Sequence, residues 1–119
     1  MNNNFINIKK MISPTVVTIK RKKGKVVQDC DVYIGRRIKR GGWDLPQSKW
    51  ANPFRITRYV SREESLKKYR EYVLSKKELL DALPELSGKR LGCWCNGMPC
   101  HGDVLVELFN KFCLSQPIE

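Results

Sequence analysis

Apolar and polar positions begin to alternate at residue 15. "TVVTIK" (15–20) is β-branched and alternating, as a half-buried strand requires. "KRKKGK" (20–25) has no apolar position and reads as an exposed turn around Gly24. A second strand is predicted over "VVQDCDVYIG" (26–35), best supported where Val32 and Ile34 alternate with Tyr33. Residues 36–58, "RRIKRGGWDLPQSKWANPFRITR", hold no sustained period and read as a long loop punctuated by Gly-Gly and two prolines. Trp43, Trp50 and Phe54 predict that this loop is ordered, because disordered segments are poor in aromatic residues.

Helical spacing follows. Ser61 and Glu64 form an S-x-x-E capping box, with Glu63 also favourable in the first turn. Leu66, Tyr69 and Val73 then line one face of a helix ending near Ser75. "KELLDAL" predicts a short second helix that stops at Pro84. "GKRLGCWC" (88–95) reads as a buried strand, and after "NGMP" a last helix begins near His101. Its core-facing stripe is Leu105, Leu108, Phe109 and Phe112. The β-β-loop-α-α-β-α order predicts an α/β fold, a single-sheet sandwich that is Rossmann-like or related. One domain is expected over 15–112, with an N-terminal tail over 1–14 and a C-terminal tail over 113–119.

Charge adds a direction to this plan. The formal net charge is +11, and residues 1–58 carry all of it, 14 Lys and Arg against 3 Asp; residues 59–119 hold 9 basic against 9 acidic side chains. Such asymmetry favours a polyanionic partner, a nucleotide or a nucleic acid. No apolar run approaches the roughly 18 residues of a membrane helix. "MNNNFINIKKMI" lacks the apolar block of a secretory leader. A cytoplasmic, reducing location with no membrane partner is therefore expected. There, clustered cysteines favour metal ligands, reactive groups or packed thiols over disulfides.

Two stretches carry candidate chemistry. In "LGCWCNGMPCH" (91–101) the spacing is C-x-C-x4-C-H. On a strand Cys93 and Cys95 share a face, with Trp94 on the other. Cys100 and His101 then return to that face, a Cys3His set that zinc accepts. A second reading puts Cys100, His101 and Asp103 at a helix N-terminus as catalytic groups, where free N–H groups favour anions and lower a thiol pKa. A third is packing between strand and helix. A phosphatase-type loop is excluded, since position 106 is Val where it needs Arg. Cys30 and Cys113 are expected to be buried thiols.

The second stretch interleaves cations with aromatic rings. Arg36, Arg37 and Lys49 are candidate phosphate ligands, Trp43 or Trp50 a stacking face, and Ser48 and Asn52 hydrogen-bonding groups; Gly35 would admit close backbone approach. Packing of Trp50 and Phe54 into the core is the competing role. If the strands ending at Gly35 and Cys95 are parallel, both stretches share one cleft. Neither a G-x-x-x-x-G-K-[ST] nor a G-x-G-x-x-G phosphate motif is present.

"VYIGR", "GGW", "SKWANPF", the capped helix, "LPELSGKRLGCWC" and "PCHGDVL" occur in this order. As a set they resemble a small domain-of-unknown-function family of phages, large DNA viruses and bacteria, over about residues 15–112. The resemblance implies that "SKWANPF" and the Cys/His segment belong to one working unit, and that the location is the host cytoplasm if the source is viral. A looser likeness is to an α/β family with a Cys-His-Arg triplet, where this chain has Gly102 in place of Arg. The reading that follows is a domain binding a nucleotide or nucleic acid through the basic, Trp-containing loop. The alternatives are an enzyme acting on a nucleotide or nucleoside and a zinc-stabilised protein-interaction module.

Overall fold

The computed structural model describes residues 11–114. Its strands are β1 (Thr15–Thr18), β2 (Lys20–Lys22), β3 (Lys25–Gln28), β4 (Val32–Tyr33), β5 (Ile38–Arg40), β6 (Trp43–Leu45) and β7 (Arg90–Cys93). Its α-helices are α1 (Arg62–Ser75), α2 (Lys77–Ala82) and α3 (His101–Phe109). A 3-10 turn, Leu83–Leu86, follows α2, and a π turn, Asn110–Leu114, continues α3.

The architecture is mixed α/β, with three sheets among the described residues where one was expected. The central sheet is parallel, in the order β1-β7-β4. Val16 and Val32 both stand beside Leu91, and Val17 and Tyr33 beside Gly92. Side chains alternate across the sheet, so Leu91 and Cys93 enter the core under the helices while Gly92 faces the other way. A Cβ at Gly92 would stand 2.5 Å from Cys30 Sγ and 2.9 Å from Ile19 Cγ2, so that face is packed tightly.

The other two sheets are hairpins, and both correct the sequence reading. "KRKKGK" is not a simple turn. β2 and β3 pair antiparallel across Lys23 and Gly24, whose φ of 53° and 79° suits a tight hairpin turn. The strand expected over 26–35 is therefore split between two sheets. The long loop contains the β5–β6 hairpin, turned by Gly41 and Gly42 at φ 61° and 87°. Three-residue strands are too short to show a period.

Local helix signals are obeyed. Ser61 Oγ accepts from Glu64 N at 3.0 Å, and α1 buries Ser65, Tyr69 and Val73, with Leu66 half-buried. Pro84 opens the 3-10 turn, where its missing N–H costs nothing. Leu105, Leu108 and Phe109 of α3 are buried, but Phe112 is 50% exposed, because the π turn widens the helix and takes the stripe out of register. Cys113 is buried as expected; Cys30 is only half-buried. Most of both expected tails lies outside the described residues; the described part of the first is tied down, with Gly88 N donating to Ile12 O at 2.7 Å.

One ion pair locks β4 to β7. Asp31 Oδ2 accepts from Arg90 N at 2.8 Å, and the two carboxylate oxygens accept from the guanidinium at 3.1 Å each. These bonds hold Asp31 down at about 2, against an ordinary 3.8. The unfolded chain therefore binds more protons than the folded one between about pH 4 and pH 2. The pair's stabilisation is full above that window and fades as pH falls through it. Asp31→Asn is expected to lower the urea midpoint slightly at pH 7, the pair being exposed. The gap to wild type should close near pH 2; a gap constant with pH would rule this linkage out.

Candidate anion-binding cleft

Parallel pairing brings the ends of β4 and β7 to the same side of the sheet, beside the start of α3. A cavity of about 660 Å³ opens there. Its floor is Cys93, Cys95, Cys100 and His101, and its walls include Tyr33, Gly35, Trp94, Asn52 and Phe54. Five arginines (Arg36, Arg37, Arg40, Arg55 and Arg62) and Lys39 line it, with no Asp or Glu among the lining residues.

Several of these groups are held in place by neutral partners. Arg36 donates to Asn52 O at 2.5 Å, and Arg62 to Pro99 O at 2.9 Å. Burial, then the nearby Arg55 charge, pushes the Arg36 pKa down. No carboxylate among the described residues pairs with the cleft arginines. Asn52 Oδ1 accepts from Phe54 N and its Nδ2 donates to Ser65 Oγ, so this side chain braces the wall. Gly35 permits the tight turn: a Cβ there would meet Tyr33 Oη at 2.4 Å. That hydroxyl donates to Arg36 O at 2.5 Å and accepts from Trp94 Nε1 at 2.9 Å.

The other loop residues go elsewhere. Trp50 is 2% exposed, inside the core. Ser48 Oγ accepts from Trp50 N at 3.0 Å and does not reach the cleft. Lys49 faces away, ion-paired to Glu85 at 2.9 Å. Trp43 sits beside Trp94, ring centroids 5.6 Å apart and edge to face. Trp94, expected on the face opposite the cysteines, lines the same cleft, because β7 and its alternation end at Cys93. Arg55 and Arg62 line the cleft without a sequence motif of their own. Arg55 directly follows "SKWANPF", which was a usable hint; nothing local marks Arg62.

At the floor, the Sγ atoms of Cys93, Cys95 and Cys100 lie within 4.8 Å of one another, and Cys93 and Cys100 are 3.6 Å apart. No disulfide joins any of the five cysteines. The thiols of Cys100 and Cys95 and the Cys95 N–H stabilise a thiolate at Cys93, which pulls its pKa strongly down. Cys100 and Cys95 are pushed up, since hydrogen bonding to their neighbours' sulfurs and burial favour their neutral thiols. Cys100 caps α3, accepting from Gly102 N at 3.2 Å, while its own N–H donates to Asp103 Oδ2 at 3.0 Å. Asp103 thus serves as the reciprocal member of a capping box. His101 stands apart from the thiol group. Its Nε2 lies 2.6 Å from Ile34 O, which can only accept, so Nε2 carries the proton. Burial lowers the His101 pKa, leaving a neutral ring edge to face with Tyr69.

Residues 17–111 match the family model described as Domain of unknown function (DUF4326). The chain belongs to this family. It is similar to "Uncharacterized protein R718" of Acanthamoeba polyphaga mimivirus, 48% identical over 107 residues, covering 83% of this chain and 82% of that protein. It is also similar to the "Uncharacterized 12.4 kDa protein in nrdA-td intergenic region" of Enterobacteria phage T4, 48% identical over 29 residues, 24% of this chain and 27% of that one. No solved structure matches. The phage and large-virus resemblance seen in the motifs is thus the right one. Among the described residues no helix is long and apolar enough to cross a membrane.

Proposed function

We propose that the cleft binds a phosphate-bearing ligand of the nucleotide class, as a free nucleotide or as part of a nucleic acid. One observation carries the reading: six cationic side chains and no carboxylate line a cavity of about 660 Å³. Unpaired like charges repel, and an anion removes that cost. The volume lies in the range of small-molecule sites. Trp94, 40% exposed at the wall, offers an indole face to a base.

The test is equilibrium binding of labelled mononucleotides and short oligonucleotides at rising salt. Affinity is expected to fall as salt rises. Replacing Arg37 and Arg55 together by Ala should weaken binding on the order of tenfold per arginine, the scale of a charge-assisted hydrogen bond. Undetectable binding by the wild type at low salt, about 50 mM, would end this reading.

A second reading is that the cysteine trio holds zinc. In a tetrahedron with Zn–S near 2.3 Å, sulfurs sit roughly 3.8 Å apart. The Cys93–Cys100 separation of 3.6 Å is already close to that. Three thiolates would be the protein ligands; neither ring nitrogen of His101 falls within their cluster of ligand atoms, so His101 does not complete the set. The nucleotide-modifying enzyme reading gains less support. The Cys100 thiol is 2% exposed and its pKa is raised, the reverse of an activated nucleophile.

A further inference from the structure

This inference rests on the cleft reading above and specifies the form of the ligand. The cation-lined surface does not stop at the cleft rim. Trp94 at the wall packs edge to face on Trp43 of the β5–β6 hairpin. The Arg21 guanidinium, from β2, lies over the Trp43 ring, 4.8 Å from its centroid. The two hairpins touch at this point, since a Cβ on Gly42 would stand 3.1 Å from Arg21 Cδ. Arg21 also donates to Gly24 O at 3.0 Å, which ties it to the turn of its own hairpin.

Beyond Arg21 the β2–β3 hairpin is open to solvent. Residues 22–27 are all exposed, as is Lys20. Among the described residues no carboxylate pairs with Lys20, Lys22, Lys23 or Lys25. These four like charges fall within six residues on a projecting ribbon. A mononucleotide in the cleft leaves them unused. A chain of phosphates meets them at regular intervals and releases its own counterions on doing so.

We propose that the protein binds single-stranded nucleic acid along a path from the cleft, past Trp94 and Trp43, onto the lysine ribbon β2–β3. A single strand fits better than a duplex for a chemical reason. An indole face at a cleft wall stacks only on a base whose own face is free, and in a duplex each base face is covered by its neighbours. The cations then track the backbone while the exposed Trp94 takes a base, with little demand on sequence.

The experiment is fluorescence anisotropy on the full chain with labelled strands of about 4, 8 and 12 nucleotides, the range of common single-strand sites. The annealed duplex of the longest strand and a labelled mononucleotide complete the set. The comparison variant carries Lys20→Ala, Lys22→Ala, Lys23→Ala and Lys25→Ala together, and thermal melting checks that it folds. The wild type is expected to bind longer strands more tightly and the single strand more tightly than the duplex. In the variant, the salt dependence for the longest strand should flatten by about three in the log–log slope, at roughly 0.7 per lost phosphate contact. If the wild type binds the mononucleotide as tightly as every strand, or the variant keeps the wild-type slope, the path is wrong and the cleft reading stands. A preference for duplex likewise overturns it. If the wild type binds neither mononucleotide nor strand, both readings fall together.

Discussion

Trp50→Ala is expected to lower the free energy of unfolding by about 3–5 kcal/mol, the range for deleting a buried large aromatic side chain. The indole is 2% exposed and packs in the same cluster as Tyr69, Val73, Leu79 and Leu83. Its backbone is fastened as well. Tyr69 Oη donates to Trp50 O at 2.6 Å, and Trp50 N donates to Ser48 Oγ at 3.0 Å. The surrounding helices are held by their own contacts, so they cannot close over the space left behind. Natural domains have about 5–15 kcal/mol in total, so this single change removes a large share. Urea unfolding of wild type, Trp50→Ala and Trp50→Phe reads it directly. The phenylalanine variant should lie between the other two, because it refills part of the volume. A midpoint for Trp50→Ala equal to wild type would mean that the ring is not core.

Zinc should stabilise the folded chain by about 4 kcal/mol when free metal exceeds its dissociation constant a thousandfold. The donors would be Cys93, Cys95 and Cys100, whose sulfurs cluster and which all line the cleft. The cluster pulls the Cys93 thiol down and pushes Cys95 and Cys100 up, and a dication would favour the ionised form of all three. Elemental analysis of protein purified without chelator should find close to one zinc per chain, and a chelator should lower the melting temperature. Cys95→Ser is the variant of choice, because Cys95 is half-buried whereas Cys93 and Cys100 are core residues. It should reduce bound zinc while leaving a cooperative melt. Metal-free protein whose melting is indifferent to added zinc would leave the trio as packed thiols.

The two parts of the cleft were legible to different depths. The Cys/His segment was visible because its residues are neighbours in sequence, but the helix cap falls to Cys100 rather than to His101, where the sequence placed it, because α3 starts at His101 itself. The loop was visible only as composition. Which of its cations face the cleft depends on the β5–β6 hairpin, whose three-residue strands carry no readable period. Lys49 and Trp50 stand side by side, yet one faces solvent with Glu85 and the other fills the core.

Sequence alone determined the features that local chemistry encodes: a strand opening at Thr15 (though it ends at Thr18 and Lys20 joins β2), the Ser61 cap and its helix, the break at Pro84, the start of the last helix, and a positive charge confined to the first half. Tertiary structure alone decided that β4 and β7 run parallel, that Trp50 turns inward, and that Arg55 and Arg62 join Arg36 and Arg37 around the three thiols. The reason is range. Caps, turns and periodicity act over a few residues, whereas the cleft is assembled from segments more than fifty residues apart, by burial that no short window of sequence contains.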